Sequence, residues 1–319
     1  MTQNVLATIK KVLDAPEDKR DSLKDQTDKE LSAFFSKPQN QLLLNELAYS
    51  LVGQAWADAM RDDVTPRIIE VKSVALGDRD YVDEDLRGLS AYWQGKGGDI
   101  ESGILRHSRT EMPREEMVAA LDMHDDEIAT SFWGAINDMV GHYRDKLSQL
   151  PVQRLMSLID TALPAPSTVD GDSIAASFAK ATLTDDEVDS VLTTVKKNSN
   201  GPISIVGTQY ALHYLANVGL TFGDRVADEV FRTGQIGQYK GASVIQVENF
   251  EDFYGNRVLN ENQLLIVAQN AGRLTYYGNA PKVAVLRRAS FYQRWETARD
   301  AGMLLYGVQH GRLGRIVLT

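Results

Sequence analysis

Apolar residues recur at steps of three and four along the first sixty positions and later give way to alternation, and the two periods predict different elements. Val5, Ile9, Val12 and Leu13 keep helical spacing, and a charged run, "APEDKRDSLKDQTDKE", follows with little to bury. A stronger helix is predicted from about Pro38 to Asp62, with Leu44, Leu47, Leu51, Ala55 and Trp56 on one stripe. The first 35 residues are too polar to form a domain alone and read as an arm that packs on something else. From Pro66 β-branched residues take over. "RIIEVKSVAL" reads as a strand and "GDIESGILRHS" as its partner. Between them, "GDRDYVDEDLRGLSAYWQGKGG" is polar, acidic and glycine-rich with no core of its own. A two-stranded excursion is marginal in isolation, so this one should lie against another surface.

The longest helical pattern begins at Asp125 or Asp126 as cap and runs through Ile128, Phe132, Ile136, Met139, Val140, Tyr143 and Leu147 up to Pro151. A second helix, with Val152, Leu155, Met156, Ile159 and Leu163, ends at the Pro/Ser/Gly stretch 164–171, the best domain boundary in the chain. Beyond it Thr184 and Glu187 form a capping box ahead of Val188, Val191, Leu192 and Val195. Asn200–Gly201 turns the chain into the short strand "PISIVG", and helices follow at Thr208–Val218 and Phe222–Phe231. Strands are predicted at 242–248, 263–268, 272–277, 282–292 and, in two pieces, 302–319. The class is α+β, without repeats or low-complexity tracts.

Composition narrows the function classes. The 319 residues suit one large or two moderate domains, and 43% hydrophobic with 24% charged residues is ordinary for a folded soluble chain. No cysteine is present, which removes disulfides, thiol catalysis and thiolate metal sites. A net charge of −10 argues against gripping nucleic acid by neutralising phosphates. No apolar run is long enough for a membrane span, and the N-terminus lacks an apolar signal core. The charge is uneven. Glu70–Glu127 holds 15 acids and 7 bases, and Pro281–Thr319 holds 7 bases and 2 acids. These segments are two solvated faces, or they form a self-complementary surface in which the acidic part of one copy meets the basic part of another.

Signals for chemistry are weak. In "TGQIGQYKGASVIQVENFED" the glycines Gly234, Gly237 and Gly241 with Lys240 suggest a phosphate cradle, but two residues rather than four separate the first pair, and Lys240 precedes its glycine. The order is also helix, glycines, strand, whereas the cradle needs strand, loop, helix. "DRDYVDED" has Val82 and Asp83 where a calcium loop needs an oxygen ligand and a glycine, so it reads as a solvated acidic turn. His124, Asp125, Asp126 and Glu127 are explained by capping and the helix dipole. The histidines (107, 124, 142, 213, 310) show no metal-ligand spacing, and no G-x-S-x-G elbow is present. The residues therefore imply neither a catalytic group nor a metal or cofactor.

The C-terminal half carries a resemblance. "GPISIVGTQYALHYLANV", "VFRTGQIGQYKGASVIQVENF", "NQLLIVAQNAGRLTYYG" and "PKVAVLRRASFYQRWETARDAGMLLYGVQHGRLGRIVLT" succeed one another in an order that resembles the major capsid proteins of tailed phages, of the Hong Kong 97-like fold. The motif-level likeness covers 200–319; before that it is architectural. It implies an N-terminal arm (1–66), an extended loop (67–120), a peripheral domain with a spine helix at 126–149 (121–170), an axial domain (171–280), and peripheral strands with the C-terminus (281–319). It further implies a structural protein, not an enzyme and without cofactor, that self-assembles as hexamers and pentamers into an icosahedral head around double-stranded DNA. Portal, scaffolding and decoration proteins would be partners, the host bacterial cytoplasm the place of assembly, and the virion capsid the destination. An encapsulin-type compartment shell shares the fold and is the alternative, though encapsulins carry a shorter N-terminal region. A soluble enzyme with a phosphorylated ligand at Gly234–Gly241 is the rival from another class.

Under the resemblance, inter-subunit contacts are expected at Lys72, Asp83, Glu84, Asp85, Lys96, Arg287, Arg288 and Arg294. A chain beginning at Met1 with its arm in place implies that no long scaffolding segment has been removed, so a separate scaffold or the arm would direct assembly. Some family members join their shells by a Lys–Asn isopeptide bond, for which Lys72 or Lys96 could supply the amine. The last asparagine here is Asn279, ahead of the C-terminal strands where the partner is sought. Mature particles are therefore expected to run as single subunits on a denaturing gel, and a ladder of covalent oligomers would refute this.

Overall fold

Phe132 has no exposed surface, and the helix it begins organises the packing of the N-terminal elements. In the computed structural model, residues 8–9, 11–12, 15–35, 41–87, 106–163, 175–178, 183–219, 237–248, 261–288, 292–308 and 311–319 are described. The predicted helix Phe222–Phe231 lies outside them. The chain forms two compact units. One comprises residues 1–63, 116–152 and 280–300, and the other 64–115, 153–279 and 301–319.

The first unit contains α1 (Glu17–Phe35), α2 (Gln41–Asp62), nearly all of β4 (Glu115–His124), α3 (Asp125–Thr130) and the first two-thirds of α4 (Phe132–Ala162). It also holds β11 (Lys282–Arg288) and most of β12 (Tyr292–Leu305), paired antiparallel from Lys282 opposite Ala298 to Arg288 opposite Tyr292. The core joins Leu47, Leu51, Ala55 and Trp56 of α2 to Phe132, Ile136, Met139, Tyr143 and Leu147 of α4, with Trp295 of β12. Two of its buried polar groups find partners within the unit. Trp56 Nε1 donates to Thr297 Oγ1 (2.8 Å), and the Tyr143 hydroxyl donates to the Trp295 carbonyl (2.6 Å).

The charged run expected to have little to bury forms α1. Leu31 and Phe35 enter the core, and Phe35 stacks on Phe132 with ring centroids 4.8 Å apart. Its polar residues serve the next helix. The Phe132 amide donates to Ser32 Oγ (2.9 Å), the Trp133 amide to Asp28 Oδ1 (2.8 Å), and the Trp133 indole to Thr27 Oγ1 (3.1 Å). The N-terminal amides of a helix lack acceptors of their own, and α1 supplies them from 100 residues away.

Two helix expectations need correction. His124, not Asp125 or Asp126, caps α3, its Nδ1 accepting from the Asp126 amide. The helix predicted to stop at Pro151 runs through it to Ala162. An interior proline costs roughly 3 kcal/mol. Leu147, Val152, Leu155, Met156 and Ile159 are all buried on either side of it, and at roughly 1.5–3 kcal/mol each such burial outweighs the break.

The second unit is built on sheets. β1 (Glu70–Val74) runs parallel to β10 (Gly272–Tyr277), which pairs antiparallel with the end of β12. Among the described residues "RIIEVKSVAL" does not pair with "GDIESGILRHS", of which residues 98–105 lie outside them. Instead, β2 (Tyr81–Arg87) and β3 (Arg106–Glu111) form their own hairpin. The six-stranded sheet runs β5 (Ala175–Phe178), β13 (Leu313–Leu318), β9 (Gln263–Ala268), β6 (Ile203–Gly207), β8 (Ala242–Gln246), β7 (Gln238–Tyr239). Every residue of β6 and β9 is buried, as expected of apolar strands covered on both faces. Helices α5 (Asp185–Lys197) and α6 (Gln209–Gly219) pack on this sheet, and the Thr184–Glu187 capping box is present.

These units divide the chain differently from the expected segments. The pattern 121–170 is shared between them, and β13, expected among the peripheral strands of 281–319, lies in the sheet of 203–268. Glycine is required where strands crowd. A Cβ on Gly302 would sit 1.8 Å from the Pro113 carbonyl oxygen.

Removing the caps of α4 tests the role of α1. Ser32→Ala strands the buried Phe132 amide and should cost about 1–3 kcal/mol, and Asp28→Ala about 1 kcal/mol. Both are read from denaturant unfolding of the unassembled subunit. Unchanged midpoints would mean that α1 does not cap α4.

Candidate assembly interface

The root of the β2–β3 hairpin is fixed by one carboxylate. Asp80, 3% exposed, accepts from Lys72 Nζ on β1 (2.5 Å) and from Thr275 Oγ1 on β10 (2.7 Å). Arg273 lies 3.8 Å away and also pairs with Glu70. The Asp80 carbonyl receives the Met112 amide, which closes the hairpin at its base, and the Arg109 guanidinium covers the Tyr81 ring. Burial pushes the Asp80 carboxyl up, but hydrogen bonds from Lys72 and Thr275 and the nearby positive charges outweigh it, leaving the group below the usual carboxylate range. The hairpin pairs with no third strand among the described residues.

A second cluster occupies the glycine stretch that suggested a phosphate cradle. Gln238–Tyr239 and Ala242–Gln246 pair antiparallel around a two-residue turn, Lys240–Gly241, whose φ values are +45° and +82°. Positive φ at both central positions suits a tight hairpin and favours glycine. Lys240, the non-glycine member, has its ammonium 2.7 Å from Asp185 and 3.4 Å from Asp189, while the Tyr239 hydroxyl also donates to Asp185. Lys240 is thus tied to the first turns of α5 in its own chain, and Gly241 serves the turn. Gly234 lies outside the described residues.

The expected contact residues are distributed as follows. Lys72 is engaged by Asp80 in its own chain, and Asp83, Glu84 and Asp85 lie on β2. Lys96 lies outside the described residues. Arg287 and Arg288 end β11, and Arg294 on β12 pairs with Glu296 at 2.6 Å. Lys72 and the three acids belong to the second unit, and the arginines to the first. The sequence reading missed Asp80 as the hub, because its partners Lys72 and Thr275 lie 8 and 195 residues away.

Other polar features have structural partners. His124 caps α3, while His142 lines a groove of about 600 Å³ in the first unit together with Asp122, Asp126, Glu127 and Asp138. Among the described residues no group of three His, Asp or Glu side chains could hold a metal, and no helix is long and apolar enough to cross a membrane.

The Asp80 cluster makes a pH-dependent expectation. A carboxyl depressed in the folded state contributes stability above the unfolded range near pH 3.9, and this is lost as pH falls through the lower folded value. Protection of the β2–β3 amides from hydrogen exchange, taken relative to the intrinsic rate at each pH, should therefore fall only below about pH 4. Asp80→Asn should exchange faster at neutral pH, by an opening free energy of roughly 1–2 kcal/mol because half-exposed Lys72 can resolvate, and should lack the acid step. Unchanged exchange in the variant would remove Asp80 from this role.

The family model described as "SPbeta prophage-derived putative capsid protein YonB" matches residues 5–306. No curated protein sequence matches. Among solved structures, a chain of Gordonia phage Cozz superposes with a TM-score of 0.55 at 13% identity, covering 81% of this chain and 86% of that one. The capsid structure of cyanophage P-SCSP1u gives 0.52 at 13% identity (78% and 85% covered), and the mature capsid of bacteriophage PhiM1 gives 0.52 at 11% (81% and 87%). At such identities the likeness speaks for the fold, which is the Hong Kong 97-like α+β fold of phage capsids. With nearly its whole length matched, the chain belongs to the family of the SPbeta prophage-derived putative capsid protein YonB.

Proposed function

We propose that this capsid-family chain is the repeating structural unit of an icosahedral phage head, assembling as hexamers and pentamers around double-stranded DNA without catalytic activity. The observation that carries this reading is the β2–β3 hairpin, rooted through Asp80 yet without a third strand beside it among the described residues. A lone hairpin is marginal in water, and the surface of a neighbouring copy is its natural support. The hairpin belongs to the segment of net charge −8, and Arg287, Arg288 and Arg294 to the segment of +5. Pairing Asp83, Glu84 and Asp85 of one copy with Arg287 and Arg288 of the next favours association and sets its register.

The net charge of −10 suits an inner wall that must not hold packaged DNA tightly. Portal, scaffolding and decoration proteins are the further partners of such a shell, which would form in the host cytoplasm and end in the virion. Its strength comes from burial over many subunit contacts.

Negative-stain electron microscopy of the purified protein should show closed shells or capsomer rings, and a monodisperse monomer under all conditions would sink the reading. Replacing both Arg287 and Arg288 by Glu should abolish shells while leaving the circular dichroism of the subunit unchanged. Normal shells from that variant would exclude the charge pairing.

A further inference from the structure

Helix α6, "QYALHYLANVG", contains no charged residue in a chain that is 24% charged. Its inner face is ordinary: Ala211, Leu215, Ala216 and Val218 are buried, and the helix packs on β6 and β9. The outer face carries Tyr210, His213 and Asn217, all exposed, and half-buried Tyr214. Spaced three and four apart, these four make one strip.

The strip is ordered within the chain. The Tyr210 and Tyr214 rings meet edge to face at 5.5 Å with hydroxyls 3.3 Å apart. The His213 ring lies 5.8 Å from that of Tyr214, and its Nε2 is 3.4 Å from Asn217 Nδ2. Side chains held in place before contact lose little entropy on binding.

Helix α5, on the same sheet, shows what a solvent-facing helix of this chain looks like. It begins with Asp185, Asp186 and Glu187 and ends with Lys196 and Lys197. A helix meant only for water has no reason to prefer Tyr, His and Asn to Glu and Lys, which are better helix formers. Tyrosine with depleted charge is instead the composition of the buried centre of an interface.

We propose that the outer face of α6 is a homotypic contact, packed against α6 of a neighbouring copy in the shell. This rests on reading the chain as a shell subunit. The absence of charge identifies the occupant. When symmetry brings identical faces together, any charge on the face meets its own sign, and in a chain of net charge −10 an uncharged strip is where two copies meet without that repulsion. Phenol hydroxyl, imidazole and amide each donate and accept, so the strip is complementary to itself. A nucleic acid would call for basic residues, and α6 has none.

The chain has no cysteine, so introduced thiols report alone. Particles of a Tyr210→Cys, Asn217→Cys double variant, treated with a short bis-maleimide, should give a ladder of cross-linked subunits severalfold above that of an Asp186→Cys control on the exposed start of α5. Particles without that excess mean that something other than a neighbour's α6, or nothing, covers the strip, and the proposal falls while the shell reading stands. Failure of the unaltered protein to form particles defeats the shell reading itself. If the double variant folds but does not assemble, two charged variants decide. Asn217→Lys and Asn217→Asp should each fail to form particles alone and form them when mixed. Particles from either alone, or none from the mixture, overturn the proposal.

Discussion

A buried backbone amide must find an acceptor, and the first unit is arranged around two that cannot supply their own. Phe132 and Trp133 start α4 inside the core, so Ser32 and Asp28 must stand at its end. That requirement places α1, whose Leu31 and Phe35 then complete the wall around Phe132. The polar character of α1 is thereby explained. It is a helix selected for the acceptors it presents as much as for the surface it buries.

In the second unit the same requirement is met by strands. β6 and β9 are buried along their whole length and exchange hydrogen bonds with neighbours on both sides, so the centre of that sheet offers nothing to another molecule. Among the described residues the β2–β3 ladder has one partner strand per strand, and it is held at its root by Asp80. A rigid root under a weakly supported hairpin is what a subunit needs if one segment is to be completed by a neighbour while the rest stays folded. The ion pairs at the root are short-range and belong to one chain, so forming or losing a neighbour need not disturb them.

Local signals were legible where the physics is local. The Thr184–Glu187 capping box, β9 at 263–268 and β10 at 272–277 stand where alternation and capping residues predict them. Pro151 misled because the propensity rule counts a lost hydrogen bond and a clash, while the burial of Leu147 and Leu155 is a tertiary fact. The partner of β1 was out of reach for the same reason, since Glu70 pairs beside Arg273 and no local pattern encodes a separation of that length. At the candidate interface the clusters of charge were visible, but not which charges are spent internally. Lys72 and Lys240 both look available in the sequence, and both are held by aspartates of their own chain.

Internal pairing of that kind changes how the net charge of −10 bears on assembly. Charges neutralised inside a subunit contribute little to its field beyond about 10 Å at physiological salt, so repulsion between copies is set by the charges left outside such pairs. Like charges at a contact between identical subunits cannot be avoided by reorientation, because symmetry repeats them at every equivalent contact. Two solutions remain. Segments of opposite sign can face each other, as the acidic 70–127 and basic 281–319 segments allow, or the contact can carry no charge, as the proposed contact at α6 would. The first is weakened by salt and sets register; the second is indifferent to salt and relies on shape and hydrogen bonding. A chain equipped with both can be guided into place by one and held by the other.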